Sequence, residues 1–529
     1  MSDRQHYDAV VVGAGFAGLF MLHRLRQLGL SVRVFEKGSG VGGTWFWNRY
    51  PGARCDIESI EYSYQFDEDL QQEWEWSERY SPQAEILRYI NHVADRFDLR
   101  EHIQLNTRVK AAQFDDKTSI WTVVTDKGSA RAKFVVFATG VLSSANVPKF
   151  KGLESFSGNW FHTGKWPREG VDFSGKRVAV VGTGSSGIQS IPIIAQQAIE
   201  LTVFQRTPAY SVPAQNKPLD PDQVRQVKAN YKAFREDNAK RGFGANFRDR
   251  EELAVEATEA ELQKEYDARW QMGGLPFLGA YADLLFDKKA NETAARYIRA
   301  KIAELVEDPE VASLLTPDTV VGCKRLCSDS GYFETFNLPH VKLVDVSTQA
   351  IDEITPGGIK VGTREYPVDC IVFATGFDAM TGALNRIDIR GVDGQTLKNK
   401  WAEGPKTYLG LSTAGFPNMF IITGPGSPSV LSNMVPSIEQ HVNWIADCIE
   451  HMKNKDVKGI EATIEAENQW VDHVNEIAGM SIYPQCNSWY LGSNIPGKPR
   501  VFMPCLGFPP YVEKCNEVAA NDYEGFVYR

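Results

Sequence analysis

Two glycine-rich turns carry the first chemistry that can be read from this chain. Gly13-Ala14-Gly15-Phe16-Ala17-Gly18 and Gly182-Thr183-Gly184-Ser185-Ser186-Gly187 share the GxGxxG spacing, which lets backbone and a helix N-terminus approach a pyrophosphate. Beyond the turns the two sites differ. Glu36 lies 23 residues after Gly13, where a carboxylate accepts hydrogen bonds from ribose hydroxyls and repels a 2′-phosphate, so this site suits FAD or NAD. The corresponding stretch of the second unit is Gln205-Arg206-Thr207, with Arg206 24 residues beyond Gly182. A guanidinium there pairs with a 2′-phosphate and selects NADPH. One dinucleotide of each kind in a single chain most simply means a flavin reduced by NADPH.

Each turn needs a strand before it, a helix after it and a second strand beyond. The apolar runs 7–12 and 177–181 supply the first strands, and 31–35 and 201–204 the second. Closing strands 134–137 and 370–373 run into the same tripeptide, Ala138-Thr139-Gly140 and Ala374-Thr375-Gly376, whose small residues let a ligand approach the carboxyl edge of a parallel sheet. The expected fold is α/β, with two Rossmann-like dinucleotide-binding domains, for FAD and NADPH, and a helical insertion in the second. We divide the chain into a discontinuous FAD domain (1–150 and 385–529), an NADPH domain (151–214 and 323–384) and the insertion (215–322). The insertion has amphipathic stretches at 222–241, 251–271 and 290–307, and Asp308-Pro309-Glu310 supplies an N-cap, a Pro at N1 and an acidic first turn. Its simplest role is to cover a cleft.

At 529 residues the chain has ample material for buried cores, and 57 Lys and Arg against 67 Asp and Glu give a net charge of −10. That balance argues against nucleic-acid and anionic-membrane partners. No apolar run is long enough to span a bilayer, and Met1–His6 leads at once into a short apolar segment unlike a signal-peptide core, so a cytoplasmic enzyme is expected. The eight cysteines have no CxxC pair and no zinc-ligand spacing; they read as reduced, mostly buried thiols, with no metal, and the Cys323/Cys327 spacing as accidental. A disulfide reductase is disfavoured, because Cys55 is the only cysteine in the first 300 residues.

The segment Gly42-Gly43-Thr44-Trp45-Phe46-Trp47-Asn48-Arg49-Tyr50-Pro51-Gly52-Ala53-Arg54-Cys55-Asp56 resembles a motif of the flavin-dependent Baeyer–Villiger monooxygenases. Phe156-Ser157-Gly158-Asn159-Trp160-Phe161-His162-Thr163-Gly164-Lys165-Trp166-Pro167 fits that family's pattern F-x-G-x-x-x-H-x-x-x-W-P at every defined position. With the tail Ser488-Trp489-Tyr490-Leu491-Gly492-Ser493-Asn494-Ile495-Pro496-Gly497-Lys498 the resemblance covers nearly the whole chain, and within the family it is nearest to the phenylacetone and steroid monooxygenase subgroup.

The resemblance implies an FAD- and NADPH-dependent enzyme that uses O2 to convert ketones (aryl, cyclic or steroid-like) to esters or lactones through a C4a-peroxyflavin. Arg325 is then the partner of the peroxide and carbonyl oxygens, and Asp56 the aspartate that orients it. Lys324 joins Arg206 and Thr207 on the 2′-phosphate, and the indole N–H of Trp489 donates to the nicotinamide nucleotide. Lys37, Gly43, Thr44, Trp45, Trp47, Tyr62 and Gln189 join Phe16 and the turn residues as cofactor contacts, and Asn418, Gly424 and Pro425 fall where flavin contacts are expected. Leu431 and Met434 sit on the loop that shapes the ketone pocket. His162 invites reading as a general base, but ketone oxidation needs none there, and a hinge role fits better. The alternatives are an N- or S-oxygenating flavin monooxygenase, whose similar linker typically lacks the Trp166-Pro167 ending, and a non-catalytic flavin redox sensor.

Overall fold

The computed structural model describes residues 5–529; the first four residues of the Met1–His6 stretch lie outside them. Ala9, Val10 and Val11 are fully buried, because the strand Gln5–Val12 sits inside a sheet covered on both faces. It pairs in parallel with Val32–Phe35 on one side and Ser129–Phe137 on the other. The sheet order is Asp388–Arg390, Val109–Asp115, Ile120–Thr125, Ser129–Phe137, Gln5–Val12, Val32–Phe35, Ile103–Gln104, with Met419–Ile421 also pairing with Ser129–Phe137. Two late strands thus enter a sheet begun by the first residues. The helix Met434–Asn454 packs on Phe16–Gln27, the helix that the first glycine turn opens.

The second sheet is wholly parallel, in the order Val341–Asp345, Glu200–Gln205, Arg177–Val181, Cys370–Phe373, Asn159–His162. The turn 182–187 opens the helix Ser185–Ala195 at its carboxyl edge. Between the strands Glu200–Gln205 and Val341–Asp345 lie the helices Pro221–Ala229, Tyr231–Ala239, Glu259–Met272, Lys288–Leu305 and Pro309–Leu315. Thr258 and Glu261 close a capping box on Glu259–Met272, and Asp308 accepts from the amides of Glu310 and Val311 ahead of Pro309. Among the described residues no helix is long and apolar enough to cross a membrane.

Candidate active site

Both glycine turns are built by the same steric rule. Gly13 and Gly182 have φ of +106° and +107°, and a Cβ on either would lie 2.4 or 2.6 Å from the carbonyl oxygen of Ala138 or Ala374. Only a glycine can therefore close the turn against the carbonyl of the tripeptide's alanine. Gly18 and Gly187 lie as close to the carbonyls of Gly13 and Gly182. Gly184, by contrast, has nothing within 4 Å of a Cβ position, so its backbone faces open space.

At the first turn, a Cβ on Gly15 would touch the Cα of Gly43 at 3.2 Å, which brings Thr44 and the aromatic motif onto the dinucleotide fingerprint. Glu36 is buried and accepts hydrogen bonds from the amides of Ala14 (2.8 Å) and Gly38. Burial raises its pKa against those two amides. The Lys37 ammonium lies over the Trp47 ring at 5.0 Å, Trp45 Nε1 donates to the Tyr62 hydroxyl at 3.1 Å, and Phe16 packs edge-on to Tyr62. Asn48, next to Trp47, has a buried side-chain oxygen with no hydrogen-bond partner among the described residues.

At the second turn, the Thr183 hydroxyl donates to the Thr207 carbonyl at 3.2 Å, and Ser185 meets the Cys327 thiol at 3.3 Å. The pKa of Lys324 is lowered by burial and then by Arg206, so two cations converge, and neither has an ion pair among the described residues. Asp318 acts on Lys324 in the opposite sense but makes no ion pair with it, and two convergent cations suit a bound dianion. The Gln189 amide is engaged elsewhere: it accepts from the Tyr50 hydroxyl at 2.8 Å and donates to the Arg54 carbonyl at 3.1 Å, which fastens the aromatic motif to the second domain.

Arg325 joins the two halves. Its Nε and Nη2 donate to the two carboxylate oxygens of Asp56, each at 2.9 Å, across 269 positions of sequence. Nη1 donates to the Val430 carbonyl at 2.9 Å, the guanidinium lies 5.3 Å from the centroid of the Phe243 ring, and the Tyr490 hydroxyl also meets it. Burial opposes its charge, but Asp56 outweighs that together with its other partners, and the pKa is raised. Arg325 is therefore a fixed cation with oriented N–H groups. Leu431, next to Val430, is buried and Met434 half-buried, and the Val430 carbonyl brings their loop to Arg325.

Tyr490 belongs to the motif 488–498 and Val430 to the loop of Leu431 and Met434, but nothing in the sequence places either against Arg325, and Phe243 carries no signal at all. Phe243 comes from the insertion, and its carbonyl also accepts from the Asn433 amide at 2.7 Å. Val430 acts through its backbone, which no side-chain pattern reveals. Trp489 is half-buried, with its ring centroid 4.2 Å from that of Tyr490. The segment carrying both is held by Asn494, which donates to the Phe377 carbonyl, and by the Lys498–Asp378 ion pair, each at 2.7 Å.

His162 is buried and its pKa is pushed down by burial to about 4. Nδ1 accepts from the Gly164 amide at 3.0 Å and Nε2 faces the Thr375 hydroxyl at 3.3 Å, tying the linker to the second Ala-Thr-Gly tripeptide. Asn418 likewise spends its side chain on the backbone, donating to Lys458 and accepting from Ile460. The reading of all cysteines as reduced thiols is corrected: Cys323 and Cys486 form a disulfide, while the remaining six are free and buried. Their separation of 163 residues leaves no spacing signal, and Cys323 is not paired with Cys327.

A family model described as pyridine nucleotide-disulphide oxidoreductase matches residues 10–271. The chain is 44% identical over 504 residues to a Baeyer–Villiger monooxygenase of Pseudooceanicola batsensis, covering 94% of this chain and 91% of that one. It is 42% identical to a phenazine N-monooxygenase of Lysobacter antibioticus, covering 99% and 98%. A solved structure, an oxidized steroid monooxygenase bound to NADP, superposes with a TM-score of 0.95 at 52% identity over 99% of each chain. With two dinucleotide folds meeting at an Asp-held arginine, the chain belongs to the Baeyer–Villiger monooxygenase family.

Proposed function

We propose that the protein binds FAD at its first fingerprint and NADPH at its second and uses O2 to convert a ketone to an ester or lactone. The observation that carries this is Arg325, held on both carboxylate oxygens of Asp56 where the two folds meet. The residues fit both cofactors. Glu36, the tight Gly13 turn and the unpartnered buried oxygen of Asn48 suit a dinucleotide without a 2′-phosphate, and the open backbone at Gly184 with Arg206, Lys324 and Thr207 suits one that carries it.

Bound FAD, reduced by NADPH, supplies the activated oxygen. Arg325 then stabilises negative charge developing on the ketone oxygen, and Asp56 and the Val430 carbonyl aim its remaining N–H groups. Because the guanidinium keeps its charge, the site needs no proton transfer at the carbonyl. Phe243, Leu431, Met434 and Tyr490 keep water from the reacting atoms. Trp489 donates to the nicotinamide nucleotide. The proposed substrate is an aryl, cyclic or steroid-like ketone, the steroid-like member being supported by the 52%-identical steroid monooxygenase. Product analysis with NADPH, O2 and a panel of such ketones tests the proposal. Ester or lactone is expected; NADPH consumption with only hydrogen peroxide, sulfoxide or hydroxylamine rejects it. A second reading, N-oxygenation of a heteroaromatic ring, is favoured by the 42% identity to the phenazine enzyme, and an N-oxide from a phenazine assayed beside the ketones would establish it.

A further inference from the structure

We propose that the Cys323–Cys486 disulfide is a thiol–disulfide exchange site through which a dithiol reductant loosens the loop carrying Trp489 and Tyr490, and with it the hold on NADPH. The bond lies where two functional segments meet. Cys323 immediately precedes Lys324 and Arg325, and Cys486 ends the turn Tyr483–Gln485 just before Trp489 and Tyr490. Its Cα atoms are 6.2 Å apart, an ordinary span for a cystine. A small apolar cluster of Leu285, Val320 and Ile482 surrounds it, and the Ile482 amide donates to the Leu285 carbonyl. One covalent link thus joins the cationic segment to the C-terminal loop, and a hydrogen bond from Ile482 ties that loop to the helical insertion.

The rest of that loop is held by the buried side chains of Tyr490 and Leu491, with Tyr483 edge-on to Tyr490, and by polar contacts: Lys498 on Asp378, Asn494 on the Phe377 carbonyl, and Arg500 on the carbonyls of Pro484 and Cys486. Opening the disulfide leaves these in place, so the effect is graded. The two residues differ in exposure, since Cys323 is fully buried whereas Cys486 is 8% exposed between exposed Gln485 and Asn487. A thiolate of the reductant attacks Cys486 Sγ, the S–S bond breaks, and the Cys323 sulfur leaves with the electron pair and takes up a proton in its apolar surroundings. The second thiol of the reductant then attacks the mixed disulfide and releases Cys486. Two electrons and two protons pass to the pair, the reductant ends as a disulfide, and an oxidant of the disulfide class reverses the step. In reducing compartments such bonds are transient and regulatory.

The NADPH half of the inference rests on the proposed function; the bond and the loop do not. Three measurements on the full-length holoenzyme test it. Alkylation of denatured, unreduced protein should label six cysteines, and eight after reduction. Dithiothreitol should speed tryptic cleavage after Arg500. The KM for NADPH should rise about fivefold, as expected if the closed loop falls to roughly a fifth of the population, and oxidation should restore it. Cys486→Ser should behave as the reduced enzyme and ignore dithiothreitol. Eight labelled cysteines without reduction, or unchanged cleavage and KM on reduction, overturns the inference. If neither form oxidises NADPH, the proposed function fails, and the labelling and cleavage still decide the switch.

Discussion

Arg325→Ala should abolish ester formation while leaving both nucleotides bound. The substitution removes three donated hydrogen bonds of 2.9 Å, two to Asp56 and one to the Val430 carbonyl. For catalysis, a unit charge about 5 Å from a developing oxyanion at an effective dielectric of about 20 contributes about 3 kcal/mol. Losing a positioned donor of this kind costs about 100- to 1,000-fold in rate, in agreement. The structural cost is smaller. The Asp56 carboxylate is 27% exposed and rehydrates when its partner goes, so the loss stays nearer about 1–2 kcal/mol than the larger cost of orphaning a fully buried charge. Nothing links Arg325 directly to the glycine turns, so flavin absorbance and NADPH oxidation without ketone should persist. The assay compares ester yield, hydrogen peroxide, bound flavin and Tm in wild type, Arg325→Ala and Arg325→Lys. The lysine keeps the charge but cannot hold both carboxylate oxygens and the carbonyl at once, so it should recover only part of the rate. Ester formation by Arg325→Ala within tenfold of wild type refutes the reasoning, and loss of flavin or of the fold would make Arg325 a structural residue instead.

Arg206→Ala should weaken NADPH with little change for NADH, because Arg206 converges with Lys324 at the second fingerprint; equal losses with both nucleotides in steady-state kinetics would make it structural. Lys498→Ala leaves Asp378 unpaired in a mostly covered ion pair, which should raise the KM for NADPH by about tenfold, the equivalent of about 1.4 kcal/mol, while kcat without ketone is retained. Glu439 is fully enclosed, accepts from the amides of Gln65 and Phe66, and is pushed up by burial to about 7. The folded chain then holds a proton that the unfolded chain has released, so this residue's contribution is fully present below the ordinary glutamate range and is lost as pH rises through about 7. Glu439→Gln keeps an acceptor for both amides and should flatten that dependence, read as urea midpoints at pH 5.5 and 7.5 relative to wild type; an unchanged difference would refute it.

Much of this protein is local in its determinants. Both strand–turn–helix units could be read from apolar runs and glycine spacing, since a parallel strand buried on both faces and a turn closing on Ala138 or Ala374 leave few residue choices. The contrast between Glu36 and Arg206 was equally legible, because each lies at a set distance beyond its turn. Arg325 and Asp56 were named through motif resemblance. What only the tertiary structure decided is how those pieces meet: that both oxygens of Asp56 grip an arginine 269 positions away, that the insertion sends Phe243 onto its face, and that Val430 orients it through a carbonyl. The disulfide belongs to the same class, since Cys323 and Cys486 stand 163 residues apart with no pattern between them. Glycine turns and buried strands satisfy constraints within a few residues of chain, whereas ion pairs, ring contacts and cross-links depend on which distant segments packing brings together.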